Sequence, residues 1–128
     1  MTEKLVKIEF NEYSLHNSQL VGIGYTTGAL ELVLTSNNAS VANNFKIVFD
    51  WIHSFRLTDE GDLLKMQEEQ NGEMLTGIYT VGNSVYLKWF TEQSAGIHDG
   101  EEIIHYLIAT SNEVIDVLSS VSPLVLSC

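Results

Sequence analysis

The chain has 128 residues, 45% of them hydrophobic, enough for one core without disulfide or metal support. Its net charge of −11 argues against nucleic acid and anionic membrane as direct partners, because both reward clustered Lys and Arg. One proline, no low-complexity tract and no repeat of solenoid type point to a single domain over residues 1–128.

The first ten residues, MTEKLVKIEF, scatter Glu3, Lys4, Lys7 and Glu9 among apolar positions. That pattern is expected of neither a signal peptide nor a membrane span. Val6, Ile8 and Phe10 alternate with Lys7 and Glu9, which predicts a half-buried strand. In LVGIGYT, Val21, Ile23 and Tyr25 share one face, with Gly22 and Gly24 between them, and Thr27-Gly28 reads as a turn. ALELVLT puts Leu30, Leu32 and Leu34 on one side and Glu31 and Thr35 on the other. After a loop rich in Asn and Ser, FKIVFDWIHSF places Phe45, Ile47, Phe49 and Trp51 on one face.

FRLTDEGDLLK comes next, with Asp59, Glu60 and Asp62 around Gly61. Asp59 suits an N-cap, and acids in a first turn complement the helix macrodipole. A short helix near residues 60–70 is therefore expected, ended by Asn71-Gly72. TGIYTV-GN-SVYLKWF carries a two-residue Gly-Asn loop and predicts a hairpin. Thr80 would face Val85, Ile78 would face Leu87, and Thr76 would face Trp89. A helix over Asn83–Ser94 is the alternative. TEQSAGIHDG reads as a loop, and IIHYLIAT-SN-EVIDVLSS predicts a second hairpin in which Ile104, Tyr106 and Ile108 share a face with Ile115 and Val117. The sum is an α+β fold, mainly antiparallel β, of about seven or eight strands and one short helix. A curled sheet or partial barrel is the expected layout, and a β-sandwich the alternative.

Catalytic and metal motifs are sparse. Asp59, Glu60 and Asp62 do not follow the alternate spacing of a calcium loop, and neighbouring carboxylates in one turn make a poor acid/base pair. The histidines His16, His53, His98 and His105 show no HxH, HxxH or HExxH spacing. His53 and His105 fall inside strand patterns and read as strand-face residues. Cys128 is the one cysteine, so no internal disulfide is expected, and it has no base held near it in sequence. Gly22-Ile23-Gly24 lacks the third glycine of a dinucleotide fingerprint. Trp51, Tyr86 and Trp89 have no basic groove around them in sequence and read as packing residues. No enzymatic activity, cofactor or metal is therefore expected.

Charge is distributed unevenly. Five of the six bases lie in residues 1–65, and no Lys or Arg follows Lys88. Acids gather at Glu68, Glu69 and Glu73, then at Glu92, Asp99, Glu101 and Glu102. Such asymmetry is the pattern of an interaction face for a basic partner, where complementary charge speeds association. These seven acids are the expected partner-binding residues.

Phe55, Arg56, Leu57, Asp59, Glu60, Gly61, Asp62, Leu63 and Leu64, with Val117, Leu118, Ser119 and Pro123 further on, resemble a core found in small bacterial proteins. The chain is similar in this to the immunity proteins of contact-dependent growth inhibition and polymorphic toxin systems. The resemblance implies a cytoplasmic antitoxin that binds and neutralises a cognate toxin C-terminal domain, for instance a basic nuclease. Such families share no catalytic motif, so no functional residue carries over from it. A non-enzymatic module binding a small ligand or another protein is the alternative.

Overall fold

The computed structural model describes residues 3–8, 18–38, 41–59, 76–98 and 100–127. Among them are nine strands and one helix: β1 (Lys4–Ile8), β2 (Ser18–Thr26), β3 (Ala29–Asn38), β4 (Val41–Phe49), β5 (Ser54–Asp59), β6 (Gly77–Gly82), α1 (Val85–Gln93), β7 (Ile104–Ala109), β8 (Glu113–Ser119) and β9 (Leu124–Ser127). The strands form a five-stranded sheet, ordered β1-β6-β7-β8-β5, and a four-stranded sheet, ordered β2-β3-β4-β9. Every pairing is antiparallel. The expected class, α+β and mainly antiparallel β, is the one observed. The strands divide between two sheets instead of curling as one, which is the sandwich layout.

The core lies between the sheets. Leu30, Leu32 and Leu34 of β3 and Phe45, Ile47 and Phe49 of β4 pack with Ile78, Tyr106, Ile108, Ile115 and Val117 of the larger sheet. Period-2 alternation produces this directly, since residues two apart on a strand point the same way. The β7–β8 register pairs Tyr106 with Val117 and Ile108 with Ile115, as the alternation predicts. Each fully buried Leu, Ile or Phe side chain contributes about 1.5–3 kcal/mol. The surface ion pair Lys46–Glu31, at 3.3 Å and partly exposed, contributes roughly 0–1 kcal/mol, so burial decides this fold.

Three expectations need correction. The segment after Gly82 is a helix, not the second arm of a hairpin, so the pairings of Thr80, Ile78 and Thr76 with Val85, Leu87 and Trp89 do not form. Instead β6 pairs with β1 and β7. Asn83 adopts a positive φ of 57° and turns the chain, and Ser84 Oγ then accepts the Leu87 N–H to cap the helix.

The run FKIVFDWIHSF is not one strand either. After Phe49 the chain crosses from one sheet to the other: Ile52 N–H donates to Gly28 O and His53 N–H to Leu118 O, both at 2.8 Å. Trp51 therefore leaves the core face, stays 48% exposed and lies against Gly28. That glycine has φ +86°, and a Cβ there would come within 2.3 Å of the indole. On β2 a bulge between Leu20 and Gly22 breaks the expected common face. Ile23 and Tyr25 sit opposite Leu32 and Leu30, at the sheet edge and partly exposed, while Val21 falls in the bulge. The helix expected near residues 60–70 lies outside the described residues.

Candidate functional site

The crossover between the sheets builds the wall of a cavity. Trp51, Ile52 and His53 come from the β4–β5 link, and Phe90 and Ser94 from the end of α1. Ile97, His98 and Glu101 follow from the turns after the helix, and Tyr25 closes the side nearest β2. The space measures about 650 Å³. It is open to solvent on a surface where Ile97 is 73% exposed and Trp51 half exposed. No Lys or Arg of the described residues lines it.

On its floor two imidazoles face one carboxylate. His53 Nε2 lies 3.4 Å from Glu101 Oε2, and His98 Nδ1 lies 3.2 Å from Glu101 Oε1. The three donor atoms all fall within 4.8 Å of one another. Rings hold the geometry: His53 packs edge-on to Trp51 and to His98, and His98 stacks on Phe90 with centroids 5.6 Å apart. Both nitrogens are buried, yet neither makes a hydrogen bond among the described residues. These three side chains could together hold a metal ion.

A second polar array sits under the N-terminus of α1, on the outer face of the larger sheet. Register places Arg56 of β5 directly opposite Asp116 of β8. Arg56 Nε donates to Asp116 Oδ2 at 2.9 Å, and Asp116 Oδ1 lies 2.7 Å from His105 Nε2. His105 Nδ1 lies 2.6 Å from Ser84 Oγ. One arrangement satisfies every atom: Nε2–H donates to Asp116, Ser84 O–H donates to Nδ1, and Ser84 Oγ accepts the Leu87 N–H. Tyr86 completes the array. Its ring stands edge-on to His105, its hydroxyl is hydrogen-bonded to Ser54 Oγ at 2.5 Å, and the Arg56 guanidinium lies over its face at 4.2 Å.

Electrostatics follow the geometry. Burial pushes the Asp116 carboxyl up, but the hydrogen bonds from His105 and Arg56 and their charges outweigh it, so its pKa lies below the usual value. Burial is the largest influence on the Tyr86 phenol and raises it, against the Ser54 hydrogen bond and the Arg56 charge. Ser84, His105 and Asp116 have the composition of a nucleophilic triad. Here, however, the serine oxygen serves the helix cap, His105 is 2% exposed, and neither residue lines a described cavity. The array fastens α1 to the sheet.

Of the acids expected to bind a partner, Glu92, Glu101 and Glu102 are exposed, on α1 and in the segment leading to β7. Only Glu101 lines the cavity. Glu68, Glu69, Glu73 and Asp99 lie outside the described residues. His53 and His98 were not singled out as a pair, because they are far apart in sequence and no local spacing rule joins them. The one available signal is His98-x-x-Glu101, which runs out of the predicted loop and is too short to read without His53 beside it.

Comparison with protein-family models, with curated proteins and with solved structures finds no match for this chain. No helix among the described residues is long and apolar enough to cross a membrane.

Proposed function

We propose that this chain is an immunity protein that binds and neutralises a cognate toxin domain carrying a basic surface. One observation carries the reading: an open concavity in which exposed Trp51, Tyr25 and Ile97 stand beside the Glu101 carboxylate, with no described Lys or Arg in its wall. Aromatic anchors next to acids fit the chemistry of a protein interface that selects a cationic partner. The net charge of −11 and the exposed Glu92 and Glu102 extend that preference beyond the concavity. Neutralisation would follow if the bound chain covered the toxin's substrate groove with carboxylates where phosphates normally lie.

The test is co-expression with a toxin C-terminal domain encoded next to this chain, followed by binding kinetics. Protection and a saturable complex are expected. Trp51→Ala should raise the dissociation rate, and Glu92→Lys with Glu102→Lys should slow association at low salt. A chain that neither binds nor protects against the adjacent domain removes this reading.

The cavity volume favours a second reading. About 650 Å³ falls within the range of small-molecule sites, so a non-enzymatic ligand-binding module is the alternative. It predicts that a small ligand, and not a protein, protects Trp51 from fluorescence quenching.

A further inference from the structure

We propose that His53, His98 and Glu101 form a site for one divalent transition-metal ion of the zinc class, on the floor of the cavity. The inference does not rest on the toxin-binding reading, although a bound ion would take up the Glu101 carboxylate and leave Glu92 and Glu102 as the acids of that interface. It starts from an anomaly of satisfaction. A buried polar atom without a hydrogen bond costs on the order of 1–3 kcal/mol, and native folds keep few of them. His53 Nε2 and His98 Nδ1 are two such atoms, and both lie within 3.4 Å of the same carboxylate. The His53 side chain is only 10% exposed, so water cannot satisfy it freely.

An imidazolium–carboxylate pair is the simplest competing account. It would put an N–H on the line to an oxygen, and neither nitrogen does so despite distances of 3.4 and 3.2 Å. A shared cation explains the same arrangement, because it takes the lone pairs of both nitrogens and an oxygen together. Ligands about 2.0–2.2 Å from a tetrahedral ion lie roughly 3.3–3.5 Å from one another. Each nitrogen already lies at that distance from one of the two Glu101 oxygens, and one donor atom from each residue falls within 4.8 Å of the others. Side-chain adjustment on the order of 1 Å closes this geometry around an ion.

The donor set narrows the ion. Two imidazoles and a carboxylate suit Zn²⁺, Fe²⁺ and their neighbours, whereas Ca²⁺ and Mg²⁺ prefer oxygen alone. Three protein ligands leave a coordination position for water or for a group donated by a bound molecule. The Glu101 side chain is 47% exposed and lines the cavity, so an ion and a further ligand can reach it from solvent. Packing of His98 on Phe90 and of His53 on Trp51 fixes both rings before the ion arrives, which lowers the ordering cost of binding.

The experiment uses the full chain, stripped with a chelator and titrated near neutral pH with Zn²⁺ in a calorimeter and with Co²⁺ in a spectrophotometer. One equivalent of Zn²⁺ should bind, and Co²⁺ should develop visible ligand-field bands. His98→Ala and Glu101→Gln should each weaken Zn²⁺ binding by at least about 10-fold and abolish the Co²⁺ bands. Glu92→Gln, an exposed acid away from the cavity, should change neither. Glu101→Gln keeps size and shape at an exposed position, so it tests the site without endangering the fold. Failure of the natural chain to bind one equivalent, or unchanged binding in Glu101→Gln, overturns the proposal. Neither result bears on whether the chain binds a toxin, which the kinetics of Trp51→Ala address separately.

Discussion

Asp116 is the buried carboxylate that links β5, β7 and β8. It accepts from Arg56 and from His105 while almost fully buried. Asp116→Asn keeps the shape but turns an amide N–H toward a donor, so one hydrogen bond is lost. A charge-assisted hydrogen bond contributes about 1.5–3 kcal/mol, and the variant should lose that much in urea unfolding near neutral pH. The pH sign follows from the shift. The folded carboxyl has a lowered pKa, so its contribution is present above the unfolded value of about 3.9 and is lost as pH falls through the folded one. The stability gap between natural chain and variant should thus hold from neutral pH down to about 5 and narrow below about 4. A gap that widens in acid would contradict this assignment. Neither this array nor the metal cluster was legible beforehand. Arg56, His105 and Asp116 meet only through the β5–β8–β7 register, and His53 meets His98 only because the chain crosses sheets at residue 52. Side-chain chemistry assembled by long-range pairing leaves no local spacing to read.

At the scale of the element, strands were legible wherever one face is buried and the other wet. β3 and β4 show this, with alternate residues fully buried at Leu30, Leu32, Leu34, Phe45, Ile47 and Phe49. Reading failed at α1 because Val85, Leu87 and Trp89 alternate as a strand would. The pattern that matters there is Tyr86 with Phe90, four apart on one helical face: Tyr86 packs on His105 and Phe90 on His53 and His98. Ser84 is of a type that caps helices, but position N3 is Leu87 and not Glu, so the capping-box signature is missing. Ser84→Ala should therefore be costly for its size. It removes the cap, worth about 0.5–2 kcal/mol, and leaves buried His105 Nδ1 without a donor, at about 1–3 kcal/mol more. Ser84→Thr retains a hydroxyl and should recover much of the loss. Urea midpoints of the two variants check this, and equal losses would show that the hydroxyl does not do both jobs.

For the whole molecule the dominant long-range term is self-repulsion. Seventeen acids face six bases, so most charge pairs in the folded chain repel. Raising NaCl from about 0.01 M to about 0.15 M shortens the screening length from roughly 30 Å to roughly 8 Å. That removes repulsion across the molecule. Local attractions also weaken, but the exposed pair Lys46–Glu31 contributes little to begin with, and the Arg56–Asp116 contact is shielded on the aspartate side. The folding midpoint should therefore rise with salt over this range. Association with a basic partner should respond in the opposite sense, because the same screening removes electrostatic steering. Measuring thermal unfolding and association rate in one salt series separates the two effects. A midpoint that falls with salt would mean that local ion pairs, and not the net charge of −11, control stability. An association rate indifferent to salt would shift the proposed interface from its acids to the apolar side chains Trp51, Tyr25 and Ile97.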